Sequence, residues 1–179
     1  MFGLARHEMW TYEHYLLLPE GDRRELIEGE FLMTPAPSEK HQRVLANLGF
    51  ALFGFVEARN LGQTYLAPFD VILDEVNVVQ PDVLVILTEH LGRIHDEGLR
   101  GAPDLAVEIL SPSHPARDRI YKRHQYFRFG VREYWIVDPT EQTVEILTRG
   151  ESDFVGGAVE RIDSAILPGF SMELSRVFR

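Results

Sequence analysis

Five consecutive apolar residues, Val83-Leu84-Val85-Ile86-Leu87, leave no polar face in the second half of the stretch from Val78 to Leu87. A strand with one side in water alternates apolar and polar residues. An unbroken run of this length reads as a strand covered on both faces. A second run, Asp104 to Leu110, is apolar except for its first residue and Glu108. A sheet covered on both faces needs helical layers, and two segments supply them. Ser38 can cap a helix running to about Arg59, in which Val44, Leu45, Leu48, Leu52, Phe55 and Val56 recur at three and four. A basic helix runs from about Ala116 to Phe129, and Gly130 ends it. The expected class is α/β, with a central mixed β-sheet flanked by helices.

The remaining segments fit that plan. Thr11 to Leu18 reads as a short amphipathic helix and Arg24 to Met33 as strands around a turn at Glu28-Gly29-Glu30. Thr34-Pro35-Ala36-Pro37-Ser38 is an extended connector, because each proline disfavours helix in the residue before it. Gln63 to Asp74 reads as one strand, Leu91 to Leu99 as a surface segment with some helix, and Ser111-Pro112-Ser113-His114-Pro115 as a loop. Glu133 to Val137 and Gln142 to Leu147 form a hairpin across Asp138-Pro139-Thr140, with a weaker strand near Phe154 to Ile162 and a turn at Pro168-Gly169. Tyr134 and Trp135 lie inside an apolar strand and are read as core. Of the 179 residues, 45% are hydrophobic, enough for a core, and no repeat or long linker divides them, so one domain over 1–179 is expected.

Charge and cysteine content narrow the chemistry. The chain has no cysteine, which excludes disulfides, thiolate metal sites and a Cys nucleophile and suits the cytoplasm. Its start lacks a signal-peptide core, and its longest apolar-rich tract, Val44 to Val56, is broken by Asn47, Gly49 and Gly54. The net charge of −10 counts against indiscriminate binding of nucleic acid. A phosphate-directed activity therefore needs a local basic surface or a metal ion.

Three places carry candidate chemistry. Asp82 opens the most apolar strand, where an unpaired carboxylate is costly; it either caps the Pro81-Asp82 turn or binds a cation. Glu108 interrupts its own apolar strand, and alternation puts it on one face with Asp104 and Ala106; it either pairs with an arginine such as Arg117 or Arg119 or joins a site. On the basic helix, Asp118, Lys122 and Tyr126 are spaced four apart and share one face, which could equally be an ordinary solvent face. Arg117, Arg119, Lys122, Arg123 and Arg128 outnumber its single acid and form the expected positive surface. Two carboxylates converging from neighbouring strands repel each other, and a divalent cation relieves that repulsion. Oxygen ligands without cysteine favour Mg²⁺ or Mn²⁺. Such an ion activates water, and a lysine nearby stabilises phosphate charge.

Several runs together resemble one family. They are Glu25-Leu26-Ile27-Glu28-Gly29-Glu30, Pro35-Ala36-Pro37-Ser38 followed by His41, Gln80-Pro81-Asp82-Val83, and Pro103 to Ser113. The Asp118, Lys122, Tyr126 helix and then Gly130 to Pro139 complete the set. In this order they are similar to the Uma-type family of putative restriction endonucleases, from about Tyr12 to Gly169. The resemblance implies a PD-(D/E)XK nuclease-like, restriction-endonuclease-like core. Asp82 matches the pattern's Asp and Glu108 its Glu. Leu110 stands where the pattern has Lys, and the family's lysine moves to the next helix, where Lys122 matches. The resemblance further implies an acidic or imidazole group near the start of the long helix, with His41 the better-placed candidate and Glu25 a second.

The resulting expectation is a Mg²⁺- or Mn²⁺-dependent DNA endonuclease. Asp82, Glu108 and Lys122 are its catalytic residues, with Asp82, Glu108 and His41 at the metal. Arg117, Arg119 and Tyr126 touch the substrate, and the protein acts as a homodimer. A catalytically inactive module of the same fold that binds DNA or protein is the alternative. Two-carboxylate glycoside hydrolysis is a third reading, and it lacks evident sugar-stacking aromatics.

Overall fold

The structure is a computed structural model that describes residues 9–19, 21–33, 36–111 and 117–179, the side chains of 117–119 excepted. Among the described residues, two six-stranded mixed sheets and a two-stranded ribbon make up the β content. The first sheet has the order β2-β1-β5-β4-β8-β7. Its strands are β1 (Arg24–Ile27), β2 (Glu30–Met33), β4 (Val71–Asp74), β5 (Asn77–Val79), β7 (Ile94–His95) and β8 (Gly98–Arg100). The second has the order β12-β11-β10-β9-β6-β3. It contains β3 (Gly62–Leu66), β6 (Val83–Leu87), β9 (Leu105–Ile109), β10 (Glu133–Asp138), β11 (Thr143–Arg149) and β12 (Phe154–Val159). Within it β9 and β10 are parallel and every other pairing is antiparallel. The ribbon pairs β13 (Arg161–Asp163) with β14 (Ser171–Glu173). The helices are α1 (Tyr12–Tyr15), α2 (Glu39–Ala58), α3 (Arg117–Phe129) and α4 (Leu174–Val177). The α/β class with mixed sheet and flanking helices is as expected; the second large sheet is an addition to the single central one.

Local chemistry explains the elements. The Ser38 hydroxyl accepts the His41 amide at 3.3 Å and starts α2 where the sequence puts the cap. Glu28 and Gly29 both have positive φ, 52° and 76°, the geometry a tight two-residue hairpin between β1 and β2 requires. After α3, Gly130 adopts φ 100°, and its amide and that of Val131 bond back to the Tyr126 carbonyl.

Two expected strands are each divided in two. Gln63 to Asp74 splits at Ala67-Pro68 into β3 and β4, and Val78 to Leu87 splits at Gln80-Pro81 into β5 and β6. Proline has no amide to donate to a ladder, so pairing stops there. At both breaks the chain changes sheet, leaving the second sheet after β3 and returning to it at β6. The two crossings are tied together, since the Ala67 amide donates to the Asp82 carbonyl at 3.0 Å. The segment expected at Phe154 to Ile162 likewise divides into β12 and β13, and Leu91 to Leu99 falls in a 3-10 turn (Thr88–Arg93), β7 and β8.

The core follows the alternation of β9. Leu105, Val107 and Ile109 pack with Val44, Leu48, Leu52 and Val56 of α2, while Ala106 joins a second cluster with Tyr126, Tyr134 and Leu84. The far face of the first sheet is covered by Tyr12 and Tyr15 of α1. Tyr134 and Trp135 are buried, as expected of core. Among the described residues no helix is long and apolar enough to cross a membrane.

Candidate active site

The register of the second sheet places the two carboxylates side by side. Val83 pairs with Val107 across β6 and β9, so the next step outward sets Asp82 against Glu108. Asp82 sits just after the Pro81 crossing and takes over a ladder contact, its Oδ2 accepting the Ile109 amide at 2.7 Å. Its other oxygen, Oδ1, lies 3.2 Å from His41 Nε2 in the first turn of α2. Ser38 fixes that turn, so the cap of α2 positions the imidazole. His41 is buried, and its Nδ1 has no partner among the described residues.

Glu108 receives three hydrogen bonds from two side chains of α3. Lys122 Nζ donates to both of its oxygens, at 3.0 and 2.9 Å, and the Tyr126 hydroxyl donates to Oε1 at 2.6 Å. Four-residue spacing on α3 delivers ammonium and phenol to the same carboxylate. Lys122 Nζ is also 2.9 Å from Glu25 Oε1 on β1, and Glu25 in turn accepts the Gln80 amide at 2.7 Å. One ammonium therefore joins the two sheets, Glu25 from the first and Glu108 from the second.

The electrostatics follow from burial. Desolvation pushes the Glu108 carboxyl up, to about 7; Lys122 pulls it down, Glu25 and Asp82 push it further up, and the Tyr126 hydrogen bond pulls it down. Burial works against the charge on Lys122, but Glu108 and Glu25 outweigh it and hold the ammonium well above its ordinary range. Burial, then Glu108, keeps Tyr126 a phenol well above its usual limit. Lys122 is thus a permanent cation near neutral pH, and Tyr126 a permanent donor.

The structure brings together six of the residues singled out in the sequence, Asp82, Glu108, Lys122, His41, Tyr126 and the second candidate Glu25. Tyr126 has no exposed surface and its hydroxyl is on Glu108, so its contact here is with a carboxylate and not with an open surface. The basic surface expected on α3 is narrower than its composition. Lys122 is buried, and Arg123 is 3.0 Å from Asp153. Arg128 is exposed. The side chains of Arg117, Asp118 and Arg119, and the whole of His114, lie outside the described residues. Gln125 went unnoticed in the sequence. It is fully buried beside Lys122 and donates to Glu28 at 2.8 Å, and nothing in its spacing sets it apart.

A second polar cluster stands at the opposite end of β9. Ligand atoms of Glu89, His90 and Asp104 all lie within 4.8 Å of one another, close enough to hold a metal ion. Its acceptors are already engaged: Asp104 takes the Leu87 amide at 2.8 Å and His90 Nδ1 at 3.0 Å, and Arg132 reaches Glu89 at 3.0 Å and Asp104 at 3.4 Å.

Comparison with known proteins now places the chain. A family model described as Uma2, putative restriction endonuclease, matches residues 12–175. The chain belongs to the Uma2 family. Its fold is also that of a crystal structure described as a putative nuclease belonging to DUF820 from Anabaena variabilis ATCC 29413. The two share 21% identity and a TM-score of 0.81, over 94% of this chain and 97% of the other. No curated protein matches. The Uma2 assignment agrees with the resemblance carried by the sequence runs between Glu25 and Pro139.

Proposed function

We propose that this Uma2 protein is a Mg²⁺- or Mn²⁺-dependent endodeoxyribonuclease that hydrolyses phosphodiester bonds at the Asp82–Glu108–Lys122 cluster. The observation that supports the reading best is the reach of Lys122. From the helix after β9 it contacts both oxygens of Glu108, which lets it stand in for the lysine absent at Leu110.

The donor set suits a hard divalent cation. Asp82, Glu108 and Glu25 supply carboxylate oxygens, His41 an imidazole, and no thiolate competes. Among the described residues Glu25 and Glu108 share one ammonium and Asp82 stands beside Glu108 as a third carboxylate, an excess of negative charge that a divalent ion would offset. Asp82, Glu108 and His41 would hold it, with Glu25 at the edge. When bound, the ion lowers the pKa of a water molecule and stabilises charge on a phosphate oxygen.

The protein's own groups do the positioning. The Ile109 amide fixes one Asp82 oxygen and leaves the other toward His41. Tyr126 fixes Glu108 from the core side, a positioning role and not a substrate contact. Lys122, held as a cation, cannot act as a base at neutral pH; it contributes positive charge toward a phosphate. Arg117 and Arg119, at the start of α3, are the proposed phosphate contacts. A cut in both strands calls for two such sites, and we assign the protein a homodimer acting in the cytoplasm.

Nicking of supercoiled plasmid tests the reading. With Mg²⁺ or Mn²⁺ the wild type is expected to nick, and Asp82→Ala and Lys122→Ala are expected to lose the activity. A well-folded wild type that never nicks, or variants that nick as it does, would leave a binding module on a nuclease fold.

A further inference from the structure

Helix α2 carries two apolar stripes. Val44, Leu48, Leu52 and Val56 face the core. Arg43, Ala46, Phe50, Phe53 and Glu57 face outward, all exposed, in steps of three, four, three and four. That is the heptad period by which helices pair. Phe50 is 85% exposed and Phe53 51%, an unusual outlay of large apolar surface. Beside the stripe lies a groove of about 480 Å³ whose lining includes Asn47, Phe50, Gly54, Met172, Arg176 and Arg179.

We propose that a second copy of this chain covers this face, with the two α2 helices antiparallel about a two-fold axis at Phe50. An isologous contact must be complementary to itself, and this stripe is. A two-fold axis at Phe50 pairs residues equally far from it on either side. Four residues away, Ala46 meets Gly54 of the second copy, small against small, so the backbones approach closely. Three residues away, Phe53 meets Asn47 of the second copy at the wall of the groove, a protrusion opposite a hollow. Seven residues away, Arg43 meets Glu57 of the second copy, opposite charges in register. Arg43 also lies 2.9 Å from Glu39 in its own helix, an exposed pair that can be shared.

Charge argues for self-association at this face in particular. A chain of net charge −10 repels its copies over most of its surface. Arg176 and Arg179 border the groove and Arg43 the stripe, which locally offsets that repulsion. The proposal gives a surface to the dimer assigned above; its test reads mass, not cleavage, so the two readings fail separately.

Sedimentation equilibrium of the full chain is the measurement. The wild type is expected at twice 20.6 kDa. Phe50→Glu is expected to give a monomer of unchanged circular dichroism, since Phe50 contributes little to the core. Glu57→Arg should weaken the dimer several-fold, and adding Arg43→Glu should restore it. A wild type that stays monomeric at high concentration overturns the proposal, including one that instead floats with anionic vesicles. A dimer that survives Phe50→Glu also overturns it, as does a Glu57→Arg defect that Arg43→Glu fails to repair.

Discussion

The two ends of β9 carry similar residues in opposite conditions. At its start, Asp104 is 2% exposed, and its oxygens take an amide, an imidazole and a guanidinium. Each contact is with a donor, and Arg132 offsets one of the two negative charges of Asp104 and Glu89. At its far end, Glu108 is also buried but faces two further carboxylates with a single ammonium between them. In one cluster the buried acid has its oxygens matched to donors. Among the described residues the other keeps the larger excess of negative charge, three carboxylates to one ammonium, and His41 Nδ1 has no partner. On the proposed function, compactness is a poor guide to chemistry. The trio tight enough to hold an ion is the one whose acceptors are already engaged, while the looser cluster has its central place filled by a lysine side chain.

The largest effects should separate the two ends by activity. Asp82→Ala and Lys122→Ala are expected to lower metal-dependent nicking by about a thousandfold. Asp104→Ala should leave the rate per folded molecule within about threefold. A comparable collapse in Asp104→Ala, measured on protein shown to be folded, would move the active site to the start of β9. Metal affinity sharpens the same contrast. Lys122→Met removes the ammonium between Glu108 and Glu25, so Mn²⁺ followed by electron paramagnetic resonance should bind about tenfold tighter even as cleavage is lost. Unchanged affinity would mean that the ammonium does not stand in the way of the ion.

Stability should separate the ends in the reverse sense. Asp104→Ala strands the Leu87 amide, His90 and Arg132, and is expected to cost about 3 kcal/mol in urea unfolding. Glu89→Ala, whose side chain is 64% exposed, should cost under about 0.5 kcal/mol.

The pH dependence of stability belongs to the far end. Glu108 is raised to about 7 in the folded protein from an ordinary 4.5. Between those values the folded state holds a proton that the unfolded state has released, so this group's contribution to stability falls as pH rises from about 4.5 to about 7. At about 1.4 kcal/mol per pH unit the total is on the order of 3 kcal/mol. Glu108→Gln should flatten that slope in melting curves across the window. A slope that persists in the variant would assign the titration to another group.

Much of this contrast was legible in residues, and some was not. Glu108 could be found because a charge in an apolar strand breaks the pattern, and alternation gave its face. Asp82 could be found because it follows a proline at the head of the most apolar run. Ser38 announced α2, and with it the place of His41. The sheet changes at Pro68 and Pro81 were signalled by the prolines themselves, but a change of sheet keeps both flanking segments apolar and extended, so each pair reads as one strand. The Asp104 cluster left no mark, because its partners come from 14 and 28 residues away with no spacing rule to link them. Glu25 stood out only by resemblance, since its role depends on the first sheet meeting the second across Lys122.

The most specific effect is expected at a single hydroxyl. Tyr126 is fully buried, and its hydroxyl holds Glu108 Oε1 at 2.6 Å. Tyr126→Phe keeps the ring and its edge contact with Tyr134 and removes one oxygen. Losing a charge-assisted hydrogen bond in the core should cost about 2 kcal/mol. A purely structural tyrosine would give that loss and nothing more. Because the phenol favours the charged carboxylate, its removal should raise the Glu108 pKa further. A proton on Glu108 competes with a divalent ion, so the pH at which Mn²⁺ affinity reaches half its plateau should move upward in Tyr126→Phe. A destabilised variant whose metal-binding pH profile stays where it was would confine Tyr126 to packing and leave Lys122 as the control on Glu108 among the described side chains of α3.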